Sequence, residues 1–230
     1  MTVTTSGLTK AAAAASVTAG LIFVAVQIGH PGSGTFTTET SQWVAREWAK
    51  VAMCALALAG ITGMYLRQHR TAGVLGLVGY LTFAVGYLTL FGVELVAAFV
   101  LPALVDSRPG FVNDVVAAAN GGQAAGDIGT IPILLGVSGA GYILGGLVFG
   151  IALFRARVLS RWASALLAAS TVATAALVVL PEAFNRPLAV PEGIALIGLG
   201  VSLWRTSDKP GAEPTATVVA PRAAREPVTR

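Results

Sequence analysis

The sequence predicts an all-α fold: a polytopic membrane bundle of six transmembrane helices with both termini in the cytoplasm. Three observations lead there. Of 230 residues, 55% are hydrophobic and only 11% charged, where a soluble domain carries about 25% charged. Apolar runs of spanning length recur along the chain, and basic residues gather on alternate connections. A chain with mean hydropathy +0.75 has more apolar surface than one soluble core of this size can hide, so its solvent is the lipid bilayer.

A spanning helix needs about 20 mostly apolar residues, because the hydrocarbon core is about 30 Å thick. Six segments fit: 11–29, 48–66, 73–101, 131–154, 162–181 and 188–204. The first follows Lys10 as a secretory signal would, but IGHPGSG comes after it without a small-x-small cleavage site. It therefore reads as an uncleaved span. The connection from Pro102 to Thr130 is long. Within it, a short helix is expected to start near Pro109 and stop at Asn120-Gly-Gly. Its residues Phe111, Val112, Val115, Val116 and Ala119 are expected to lie on the membrane surface. Residues 206–230 lack periodicity and are expected to form a disordered cytoplasmic tail.

Basic residues set the orientation. RQHR (67–70) and RARVLSR (155–161) hold five arginines and no acid. With Lys10 and the tail they place most of the lysine and arginine on one side, the cytoplasm. The other side holds most of the acids, among them Glu47, Glu94, Asp127, Glu182 and Glu192. The four tryptophans, Trp43, Trp48, Trp162 and Trp204, fall at span ends, where headgroup-level anchors belong. The net charge of +4 is thus a topology signal, and nucleic-acid binding is not expected. The inner membrane is the expected location. The expected partner is the lipid bilayer, with a second copy or a partner membrane subunit as further candidates.

Depth follows from counting at ~1.5 Å per residue. Counting from Val74 puts Glu94 about 30 Å up, at the outer boundary, level with Glu47, His30 and Glu182. Glu192 lies only about 18 Å above Trp204, inside the membrane and level with Tyr87 and Tyr142. Tyr80, Tyr87 and Glu94 are spaced by seven and share one stripe. Pro187 and Pro191 flank the approach to Glu192. Two readings stand for this acid: it lines a cavity beside a helix that begins at Pro191, or it caps its own helix.

Glu94, Glu192, Glu182, Tyr87, Tyr142 and Tyr80 are therefore the expected ligand- or proton-binding residues. His30, Glu94 and Asp127 are the expected ligands if a divalent cation binds. Two GxxxG spacings, Gly141–Gly145 and Gly146–Gly150, predict close helix packing. The lone cysteine, Cys54, excludes an intrachain disulfide. No nucleotide loop, HExxH, GxSxG or haem-type histidine pair is present, and no cofactor is expected. The leading functional reading is a small ligand or cation bound or transported at an acidic cavity open to the outer face. A structural or regulatory subunit packing through the glycine face is the second reading. A metal-assisted lipid-modifying enzyme is the third.

Overall fold

The computed structural model describes residues 2–32, 34–178, 180 and 182–208, without the side chains of residues 178, 182 and 185. Every regular element among these residues is helical, with no strand among them. In order they form α1 (Thr5–Ala25), α2 (Thr40–Leu95), a π-helical turn (Val96–Val100), α3 (Leu101–Leu104), α4 (Pro109–Ala119), α5 (Ile131–Ala156), α6 (Arg161–Ala173) and α7 (Asn185–Thr206). Two 3-10 turns, Thr174–Val178 and Glu182–Phe184, link α6 to α7. Among the described residues, four stretches are long and apolar enough to cross a membrane: Thr5–Ala25, Thr40–Leu104, Ile131–Ala156 and Arg186–Thr206. The expected tail falls outside the described residues beyond position 208. Its first residues are ordered, with α7 running to Thr206 and Asp208 paired to Lys10 at 2.9 Å.

The 65-residue stretch Thr40–Leu104 is a hairpin. Gln68 (φ −133°, ψ 17°) and Gly73 (φ +59°, ψ −154°) leave helical geometry, and the two arms run back along each other. Thr62 meets Tyr80, Tyr65 stacks on Tyr80, and Lys50 meets Glu94. Each pair is centred near residue 72, as antiparallel arms require. An added Cβ at Gly73 would meet nothing within 4 Å. Glycine is needed there for its backbone conformation, not for space. At the far end of the second arm, Pro102 has no N–H to give the carbonyl four residues back. The chain there widens into the π-helical turn before α3.

The elements pack in sequence order, and α7 rests against both α6 and α1, closing them into a ring. Small residues make the contacts. A Cβ at Gly86 or Gly79 would enter the backbone of α5 at Tyr142 or Phe149, and one at Gly145 would enter the second arm at Phe83. Gly20 of α1 meets Gly193 and Ile197 of α7, and Ser16 donates to the Leu196 carbonyl at 2.8 Å. In lipid, association relies on such close van der Waals contact, because the tails are as apolar as the side chains. Leu77, Val78, Leu81, Val85 and Leu88 on the outside of the second arm stay exposed.

Two expectations need correction, and one choice that the sequence leaves open is decided. The α6 helix stops at Ala173 and tightens into 3-10 geometry, short of the span drawn to residue 181. Around this change, Thr171 and Thr174 turn their hydroxyls back onto carbonyls of their own helix, which competes with regular helix bonding. The α7 helix starts at Asn185, not Pro191. Pro187 falls in the first turn, where no N–H is required, and Pro191 forgoes a single bond. The valine face of helix α4 is covered by protein, not left bare for lipid, while Phe111 is half-buried and Ala119 exposed. Val112, Val115 and Val116 are buried against Phe36, Trp43, Leu101 and Ile128 in a second core that caps one end of the bundle. Trp43 accordingly sits inside, while Trp48, Trp162 and Trp204 are exposed.

Gly145→Ala forces a Cβ into the second arm and should cost about 1–3 kcal/mol. Gly136→Ala on the same helix faces open space and should be neutral or slightly stabilising. Thermal unfolding in detergent compares them. Equal melting temperatures would contradict the packing described.

Candidate functional site

Among the described residues, two groups of buried acids occupy the interior, one within the α2 hairpin and one joining α7 to the second arm and α5. The first belongs to the hairpin. Glu47 and Lys50 are three residues apart on the first arm and share a face. Lys50 Nζ lies 2.7 Å from Glu47 Oε1 and 3.8 Å from Glu94 Oε2 on the second arm. Glu47 is 2% exposed and Glu94 8%. Carboxylates so deeply placed require a paired charge, and one ammonium serves both. Its Nζ also stands 5.9 Å from the Trp43 ring.

His30 approaches the same region from the loop after α1. Its ring meets Trp43 edge-on at 4.7 Å, and Nδ1 donates to the Pro31 carbonyl at 2.9 Å. That bond places the proton on Nδ1, leaving Nε2 as a buried acceptor without a partner. Burial, helped by the positive charges of Lys50 and Arg186, pushes the imidazole down to about 4. The ring is neutral at physiological pH.

The second group centres on Glu192 of α7, which is fully buried. Tyr87 of the second arm donates its hydroxyl to Oε1 at 2.9 Å. Tyr142 of α5 donates to Oε2. The depth count puts these three residues at one level, and the fold joins them because α7 faces both helices across the ring. Tyr80 does not join. It bonds Thr62 at 3.1 Å and stacks on Tyr65 at 4.6 Å. The stripe Tyr80–Tyr87–Glu94 is divided between two neighbours: the first arm, which meets Tyr80 through Thr62 and Glu94 through Lys50, and α7, which meets Tyr87 through Glu192. Glu94 and Glu192 have separate partners instead of forming one acidic pair.

A partly open cavity of about 770 Å³ lies beside both groups. Glu47, Lys50, Glu94, Arg186 and Tyr142 line it together with Ser138 and Gln27. Most of its wall is apolar, including Phe23, Phe36, Trp43, Leu90, Val115 and Leu134. Tyr142 lines the cavity while bonding Glu192, so it stands between the two. The formal charges in the wall are two acids and two bases, so the cavity is not the acidic one expected from sequence. Lys50 already fills the place between Glu47 and Glu94 where a cation would sit.

The remaining expected residues lie elsewhere. Asp127 accepts from the Gly129 amide at 2.8 Å within its own turn. Among the described residues, no three His, Cys, Asp or Glu side chains come together as a metal site, so His30, Glu94 and Asp127 do not form one. The Glu182 side chain is outside the described residues. Gly141 and Gly145 meet the second arm, and Gly146 and Gly150 meet α6, so the glycine face is occupied within the chain. Sequence reasoning missed Lys50 and Glu47 as site residues. The available signal was the hairpin itself, since antiparallel pairing about residue 72 puts Lys50 opposite Glu94.

Tyr142→Phe and Tyr87→Phe each remove one of the donors that satisfy Glu192. Each should cost about 1–3 kcal/mol, whereas Tyr80→Phe should cost under about 1.5 kcal/mol, as its hydroxyl meets only another hydroxyl. Thermal unfolding ranks the three, and Tyr80→Phe ranking first would contradict the network. His30 sets a pH window. Between pH 6.5 and about 4 the unfolded imidazole binds a proton that the folded one does not, so stability falls on acidification through that range. The melting-temperature gap between wild type and His30→Gln should change from pH 7.5 to 4.5, with wild type losing relative ground. A constant gap would contradict this. Compared with family models, curated proteins and solved structures, the chain matches none.

Proposed function

We propose that this is a six-span inner-membrane protein with cytoplasmic termini, and that its outward cavity binds a small, largely apolar molecule with an uncharged polar end. The topology rests on the arginine-rich turns at 67–70 and 155–161. The hairpin contributes two spans, and α1, α5, α6 with its 3-10 extension, and α7 contribute four. Ser6 bonds Asp208 at 3.1 Å, Arg67 bonds the Thr206 carbonyl at 2.6 Å, and the Ser160 amide bonds Ser202 at 2.9 Å. Both described ends and both arginine-rich turns therefore share one end of the bundle.

One observation carries the ligand reading: a cavity of about 770 Å³ with apolar walls whose charged groups are balanced two against two. Ligand sites of roughly 300–1,000 Å³ are typically apolar, with a few polar groups fixing orientation. A cationic ligand would have to displace Lys50 from its carboxylates, and an anionic one would have to compete for Lys50 or Arg186 with the groups they already meet; either is costly. An alcohol, amide or carbonyl can instead use Tyr142, Ser138 or Gln27. The same balance argues against an inorganic cation as the ligand.

The test is a series of eight-carbon compounds ending in alcohol, primary amide, amine or carboxylate, read by thermal shift and tryptophan fluorescence on the detergent-solubilised protein. The alcohol and amide should bind at least about tenfold more tightly than the charged pair, a gap of about 1.4 kcal/mol. Leu134→Trp, which fills the cavity, should abolish binding. Tightest binding by the amine, or stabilisation by inorganic cations alone, would overturn this reading in favour of a cation site.

A further inference from the structure

We propose that the hollow between the turn of the α2 hairpin and the end of α5 binds the headgroup of an anionic phospholipid. This site lies at the opposite end from the outer cavity and does not depend on what that cavity holds. The hollow measures about 370 Å³ and is lined by Thr71, Ala72, Val74, Leu75, Ala152 and Arg155. Arg155 is exposed in the last turn of α5. A guanidinium presents a planar fork of donors that matches a phosphodiester.

Charge and shape agree on the ligand. Arg157 and Arg161 are exposed on the following turn. The one acid at this end among the described residues, Asp208, is taken by Lys10 at 2.9 Å. Basic pockets between spans at the cytoplasmic side suit anionic headgroups. The wall then separates a phospholipid from free phosphate. Val74 and Leu75 line the hollow, and Val74, Val78, Leu81, Val85 and Leu88 recur at helical spacing on the second arm, each at least half exposed. This apolar stripe leads away from the hollow and gives an acyl chain a path that phosphate does not need. Exposed Trp162 and Trp204 belong to the same end, the level at which headgroups lie.

The experiment is native mass spectrometry of the full chain with phosphatidylglycerol and phosphatidylcholine of identical acyl chains. Wild type should retain phosphatidylglycerol about tenfold better, as one charge-assisted fork allows. Arg155→Gln should remove the preference, and Arg157→Gln, outside the hollow, should keep it. Independently of any variant, a photoreactive phosphatidylglycerol should crosslink to residues 71–75 or 152–155. Equal retention of the two lipids, equal losses in the two variants, or crosslinks confined to other segments would overturn the proposal. So would full displacement of the lipid by millimolar inorganic phosphate, which would make this a free-phosphate site.

Discussion

The structure depends on helix backbones approaching closely enough for dispersion forces to hold them in lipid. The hydrophobic effect drives helices into the bilayer, but it offers little to bring one helix against another there. Contact must come from small residues that remove the usual spacing between axes. Gly79, Gly86 and Gly145 do this between the hairpin and α5, and Gly20 and Gly193 do it between α1 and α7. Once the ring has closed, its interior excludes lipid, and polar side chains can be held inside it.

The polar interior follows from that closure. A carboxyl at the depth of Glu192 is costly in hydrocarbon, and two tyrosines from different helices supply its hydrogen bonds. Glu47 and Glu94 are handled differently, by one lysine between them. The first arrangement ties α7 to the second arm and α5, and the second ties the arms of the hairpin together. Each polar group therefore adds directional bonds between helices that small residues already bring into contact. Between them the bundle keeps a cavity capped by α4, where packed side chains leave space and the charges are already matched.

How much of this was legible in the sequence can be followed residue by residue. The short helix at Pro109–Ala119 was expected from Pro109 and Asn120-Gly-Gly, and the common level of Glu192, Tyr87 and Tyr142 came from counting alone. Both rest on local rules: capping chemistry and a fixed rise per residue. The end of α6 at Ala173 and the start of α7 at Asn185 were not legible. Thr171 and Thr174 choose between helix and back-bonding according to surroundings, and Pro187 is tolerated only because it falls in a first turn. The burial of Val112 and Val116 was misread as membrane contact, since an apolar face looks the same whether lipid or protein covers it.

Composition and periodicity are properties of one segment at a time, so the sequence by itself determined the helical class and the presence of apolar helices long enough to cross a membrane. Which side chain meets which is a property of two segments, and only the tertiary structure decided it. Tyr80, Tyr87 and Glu94 occupy one stripe in sequence but answer to two elements in space, Thr62 and Lys50 of the first arm and Glu192 of α7. Lys50 became the partner of Glu94 because the chain reverses near Gly73. That single reversal converts an acidic end, as read along the chain, into a balanced cavity wall.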